Sequence, residues 1–254
     1  MGFLVFILGM VIGQFLNWLI KYFSPSPGAK AALKTSWWRR LPVVDAWCQA
    51  DLVKTEWWWV LGVELFSGAG FFLAYLNYDL SPEWGVFVFY LCLMLAIAVI
   101  DIQERLILNR LIFPAIPLAI ILATFIPVGA ATPQLVEAGK SSIGPFNVFL
   151  FSVLGGAIAF FILLLPAIIK PGGMGFGDVK LAGLVGLATG FPGCLVAIGL
   201  AIIVGGLFAF VLLVSRRKGR RDAIPFGPFI CAGMLAALVW GVPITNWYLG
   251  LIFR

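Results

Sequence analysis

From Leu181 to Val214 the chain runs for 34 residues without a charged side chain. As a single helix, at ~1.5 Å per residue, this run would be about 51 Å long, well beyond a bilayer core of ~30 Å. So apolar a stretch belongs in lipid, yet it is too long to cross once. The string GFPG, Gly190–Gly193, falls inside it. Glycine and proline together supply a break, which divides the run into a short helix and a long one. A second uncharged run, Ser141 to Ile169, precedes it. The whole chain is 62% hydrophobic and 11% charged, with a mean hydropathy of +1.08. Soluble domains carry about 25% charged residues. The expected fold is all-α: a polytopic membrane helix bundle of about eight transmembrane segments. They fall near residues 2–22, 57–77, 84–100, 108–128, 147–169, 178–190, 192–214 and 224–252, the last with a break near Pro243. A membrane β-barrel would show alternating ten-residue segments instead.

The basic residues order these segments. Lys21, Lys30, Lys34, Arg39, Arg40 and Lys54 follow the first segment; Arg105 and Arg110 follow the third. Lys170 and Lys180 follow the fifth, and the RRKGRR string, residues 216–221, follows the seventh. Only Lys140 and Arg254 fall on the other side. The positive-inside rule makes the rich side cytoplasmic and leaves the N-terminus outside. The net charge of +6 therefore reads mostly as a topology signal, with membrane lipids as partners and no nucleic acid, and RRKGRR reads as a topology anchor rather than a site for anionic lipid heads. The first apolar run lacks a basic leading region and is followed by Lys21, so it reads as a retained helix rather than a cleaved signal. Residues 22–56 form the one sizeable cytoplasmic loop, within what reads as a single integral membrane domain, residues 1–254.

The chain contains no histidine and four scattered cysteines, Cys48, Cys92, Cys194 and Cys231. Ser-His and Cys-His hydrolases and His-bearing zinc sites are thereby excluded. Acid–base chemistry falls to Asp, Glu, Lys, Tyr or Cys.

Of the eleven acids, Glu64, Asp101, Glu104 and Asp178 lie near or within membrane segments. Ionisable groups at that depth are costly and are functional candidates by default. Asp101 ends the run VFVFYLCLMLAIAVI; Asp178 opens the sixth segment after Gly175-Phe176-Gly177. Each has a plainer reading. Asp101 could close its helix and pair with Arg105; Asp178 could cap its helix or pair with Lys180. Glu64 could be a buried hydrogen-bonding partner or a site residue, and Glu104 reads as interfacial. Yet both aspartates fall on the same expected side of a histidine-free chain, which favours a catalytic pair. Two carboxylates sharing one site cannot both ionise easily and hold one proton between them. One then deprotonates water while the other protonates a carbonyl or a leaving amine. Gly175 and Gly177 would supply positive φ or close backbone approach beside Asp178. The spacings Gly9/Gly13 and Gly186/Gly190 read as close helix packing.

The string GMGFGDVKLAG, residues 173–183, is similar to the GxGD signature of the type IV prepilin peptidases. These are membrane aspartic proteases, more distantly like the presenilin type. The segment LILNRL after Asp101, IPFGPF from Ile224 to Phe229, GQFLNWLI at Gly13–Ile20 and VELFSG at Val63–Gly68 also resemble parts of that family, in the same order. The resemblance implies an aspartic peptidase core over residues 84–254, with Asp101 and Asp178 as the catalytic pair. It makes Gly175, Phe176, Gly177 and Lys180 the active-site loop. Glu64, Asn109, Pro225, Phe226, Gly227 and Pro228 become further substrate or structural positions. The implied substrates are type IV pilin-like precursors, cut after a short basic leader at the cytoplasmic face of a bacterial inner membrane.

Many members carry two CxxC pairs in the first cytoplasmic loop. Here that loop has Cys48 alone, so no zinc and no other metal is expected. Proteolysis by an aspartate pair needs no cofactor. S-adenosylmethionine enters only if the methyl transfer known from some members is retained. Two other classes stay open: an assembly scaffold without activity, and a small transporter, whose acids would lie nearer the bilayer midplane.

Overall fold

The structure is a computed structural model describing residues 1–23, 57–128, 144–170, 174–215 and 225–252. Among these the chain forms seven helices and no strand. Six are long and apolar enough to cross a membrane, and the protein is an all-helical, multi-pass membrane protein. The first cytoplasmic loop expected from sequence, with its lone Cys48, and the RRKGRR string lie outside the described residues. The chain divides into two compact units, Met1–Arg105 and Leu106–Arg254.

The first unit holds α1 (Gly2–Phe23), α2 (Trp57–Tyr78) and α3 (Pro82–Glu104). Val5, Gly9, Gly13, Leu16 and Ile20 make one buried stripe on α1, spaced three or four apart as a helix face requires. Phe3, Leu4, Leu8, Val11 and Phe15 point outward, which suits lipid and not water. The expected packing role of Gly9 and Gly13 holds. A Cβ on Gly9 would come within 2.8 Å of the Gly68 Cα, and one on Gly13 within 2.8 Å of the Glu64 Cα. Small residues let two backbones touch where lipid offers no hydrophobic drive to associate. One turn on, the Asn17 amide donates to the Val60 carbonyl at 3.1 Å. As the α1 partner advances from 9 to 13 to 17, its α2 partner falls from 68 to 64 to 60, so the two helices run antiparallel. The turn into α3 uses Asp79 at φ 50°, a left-handed position that Asp tolerates better than most residues. Pro82 then opens α3, where its missing N–H costs nothing.

The second unit holds α4 (Asn109–Phe125), α5 (Pro145–Ile169), α6 (Phe176–Val214) and α7 (Gly227–Ile252). α4 is short for a span: 17 residues, about 26 Å of helix. α6 absorbs the run of 34 uncharged residues, and its helical geometry fails at Gly190 (φ 62°, ψ 178°) and Phe191 (φ −92°, ψ 134°). The break expected at GFPG is therefore present, and the expected sixth and seventh segments are two arms of α6. Gly190 alone among the described glycines uses a left-handed φ, and Pro192 has no N–H to give the Ala188 carbonyl. The first arm packs on α5, where the Ser152 hydroxyl donates to the Leu187 carbonyl at 2.6 Å. The second arm packs on α7 through Gly233, which faces the Ala197 carbonyl. The break expected at Pro243 does not occur: α7 continues through it.

Candidate active site

Asp101 lies in the last turn of α3, not beyond it. The helix continues to Glu104, and the Arg105 N–H closes it by donating to the Asp101 carbonyl at 2.9 Å. Arg105 takes a left-handed conformation (φ 52°), the shape of a C-terminal cap that glycine usually fills. The Asp101 side chain is 4% exposed. One to two turns earlier the helix is buried on every side, since Met94, Leu95, Ala96 and Ile97 are consecutive and all buried, whereas Ile102 and Gln103, next to Asp101, are exposed.

Asp178 lies in the first turn of α6. The cap of that helix is Gly175, without a side-chain cap bond, so Asp178 is not the cap. It occupies the third helical position, its N–H donating to the Gly175 carbonyl at 3.1 Å. From there an acid reaches back over the helix start. A Cβ added to Gly175 would lie 3.4 Å from the Asp178 Oδ2. Gly175 and Phe176 are exposed, and Asp178 is half-buried.

The two glycines beside Asp178 do not serve positive φ. Gly175 has φ −75°, and Gly177 is not among the left-handed residues. What Gly177 supplies is room: a Cβ there would stand 2.9 Å from the Ile107 Cβ. Ile107 belongs to the short stretch between Arg105 and α4, and sequence reasoning missed it. Nothing in an isolated isoleucine announces such a contact. Gly177→Ala is expected to cost about 1–3 kcal/mol by overpacking and to lower the melting temperature in detergent. Ile107→Ala in the same chain should recover most of the loss. A Gly177→Ala protein as stable as the native chain would show that the contact does not matter.

Lys180 reaches away from Asp178, as residues two apart on a helix do. Its ammonium donates to the Asn109 Oδ1 at 3.1 Å and lies 5.4 Å from the centre of the Phe113 ring. Asn109 is the first residue of α4. The structure thus joins two of the expected positions, Lys180 and Asn109, and adds Phe113, which sequence reasoning also missed. Glu64 is half-buried on α2, its backbone against Gly13 of α1. Pro225 and Phe226 lead into α7, and Gly227 and Pro228 are its first two residues. There the Phe226 carbonyl accepts from the N–H groups of Phe229 and Ile230. The Phe226 and Phe229 rings cover Gly205, and Phe229 lies 5.4 Å from Phe208. The contacts of this string are with the second arm of α6. Among the described residues no group of three or more His, Cys, Asp or Glu side chains gathers as a metal site.

Fold and site together define a multi-pass membrane protein with two helix-borne aspartates in a chain without histidine. The type IV leader peptidase family model matches residues 88–210, a stretch that contains both aspartates. Over 186 residues the chain is 30% identical to the prepilin leader peptidase/N-methyltransferase of Bacillus subtilis, covering 73% of this chain and 68% of that one. It is 27% identical over 223 residues to the protein of the same name from Stutzerimonas stutzeri, covering 87% of this chain and 66% of the relative. With the Aeromonas salmonicida protein of that name it shares 28% over 179 residues, 68% of this chain and 56% of the relative. No solved structure matches significantly. The chain belongs to the type IV leader peptidase family and is a protease.

Proposed function

We propose that this protease removes the leader peptide of type IV prepilin-like precursors at the cytoplasmic face of a bacterial inner membrane, with Asp101 and Asp178 as its catalytic pair. The observation that carries the reading is Asp178. It is a half-exposed acid in the first turn of a long apolar helix, inside the stretch matched by the family. Asp101 supports the reading as a buried acid in the last turn of an apolar helix, inside the same matched stretch. The basic residues gathered on one side of the expected spans support the cytoplasmic face.

In the proposed reaction the pair holds one proton. The ionised carboxylate takes a proton from water as the water oxygen adds to the scissile carbonyl carbon. The protonated carboxyl gives its proton to the carbonyl oxygen. Collapse of the tetrahedral species breaks the C–N bond: the proton taken from water passes to the leaving amine, and a hydroxyl of the tetrahedral species returns its proton to the other carboxylate, which restores the pair. No metal enters any step.

The relatives are named for N-methylation as well. Methylation would take its methyl group from S-adenosylmethionine. The test combines both questions. The detergent-purified protein, incubated with a pilin-like precursor, is expected to release the leader and leave a mature chain starting at the cut. Failure to cut any such precursor overturns the reading. Mass spectrometry of the new N-terminus, with and without S-adenosylmethionine, decides the second activity. A product one methyl group heavier establishes it, and an unmodified product assigns the chain to cleavage alone.

A further inference from the structure

We propose that Lys180 is a positioning residue for the Asp178 carboxylate, acting through its bond to Asn109. The inference rests on the reading of Asp178 as catalytic. The first turns of α6 meet residues 107–113 at three points. Gly177 meets Ile107 with no room for a Cβ, the Lys180 ammonium donates to Asn109, and the same ammonium faces the Phe113 ring. The first contact fixes how closely the helix start approaches. It is apolar and leaves the helix free to rotate or slide. The second and third are directional and come from the same turn as Asp178, on a side chain pointing elsewhere. A charged donor bound to an amide oxygen and seated over a ring holds one geometry better than a solvated lysine. Lys180 is partly exposed, and a lysine with no task would extend into water. Instead it ties α6 to the first residue of α4, 71 positions earlier.

Misplacing a catalytic group by about an ångström can cost up to about a hundredfold in rate. Lys180→Met keeps the apolar stem over Phe113 and removes the charge and the donor. It is expected to lower kcat by about ten- to a hundredfold with KM changed by no more than about twofold, because an effect exerted through Asp178 falls on the chemical step. Lys180→Arg, which keeps charge and donors, should recover most of the rate. Asn109→Ala should lower kcat in the same sense. The double variant should be no slower than Lys180→Met alone, since both remove one interaction. A melting curve in detergent for each variant separates slow from unfolded protein. Wild-type kcat in Lys180→Met overturns the proposal. So does a rise in KM at unchanged kcat, which would mean that Lys180 touches substrate, and so do losses from the two single variants that multiply. Asp178→Asn is run beside them. If it still cleaves, the catalytic reading fails first; if it is dead while Lys180→Met is fully active, only the positioning role falls.

Discussion

Asp101→Asn and Asp178→Asn are each expected to abolish leader cleavage, with a loss of at least about 10³-fold in kcat. Asparagine matches aspartate in size and keeps an acceptor oxygen, but it can neither take a proton from water nor deliver one. The fold should survive both changes. Asp101 is buried, and replacing a buried ionisable group by a neutral one removes a desolvation cost rather than adding one. Asp178 is half-exposed at a helix start whose cap is Gly175, so no cap is lost. Cleavage of a pilin-like precursor followed on a gel, beside a melting curve, reads both expectations. The double variant should be as dead as either single one and no deader, because residues that share one step are not additive. If either single variant keeps more than a few per cent of the native rate, the pair is not the catalyst.

These two residues could be read without coordinates because charge is conspicuous where everything around it is apolar. The break in α6 was legible for a related reason: the run was too long for one crossing, and GFPG offered the one place to stop. Helix ends were less legible. α3 and α5 begin at Pro82 and Pro145, two residues before the apolar windows at 84 and 147, since proline fits the first helical position, where its missing N–H costs nothing. α3 likewise runs past Asp101 to Glu104, because a charge marks an interface and not the end of hydrogen bonding. Pro243 shows the limit of reading proline as a stop, since α7 passes through it. The glycines of the GxGD loop were read with two explanations open, positive φ or close approach, and at Gly177 it is close approach that the structure supports. Their φ values are ordinary, and Gly177 is needed for space against Ile107. Space is a property of the neighbour, and neither Ile107 nor the pairing of Lys180 with Asn109 leaves a trace in periodicity or charge pattern.

Gly155→Val is expected to destroy the fold of the second unit, and Gly155→Ala to weaken it clearly. A Cβ on Gly155 would lie 2.7 Å from the Gly186 carbonyl oxygen and 2.8 Å from the Phe191 nitrogen. All its nearest neighbours are backbone, so no side chain can swing aside. A Cβ on Gly186 would in turn run into the Gly155 carbonyl. Overpacking ordinarily costs about 1–3 kcal/mol, and more where nothing can yield. The sign of the alanine effect is the informative part. Glycine to alanine inside a helix normally stabilises by roughly 0.5–1 kcal/mol, and Gly199→Ala, with nothing within 4 Å of the new methyl, should do so. Gly155→Ala should go the other way, with a lower melting temperature in detergent, and Gly155→Val should fail to give a monodisperse protein. Equal melting temperatures for the Gly155→Ala and Gly199→Ala proteins would mean that α5 and α6 do not pack backbone to backbone. The consequence reaches the active site, because the arm of α6 that rests on Gly155 is the one whose first turn carries Asp178. In lipid no hydrophobic force would press that arm back onto α5 once the contact is lost. A cleavage defect in Gly155→Ala should therefore deepen as temperature rises toward its own melting point, while the Asp178→Asn protein stays inactive at every temperature.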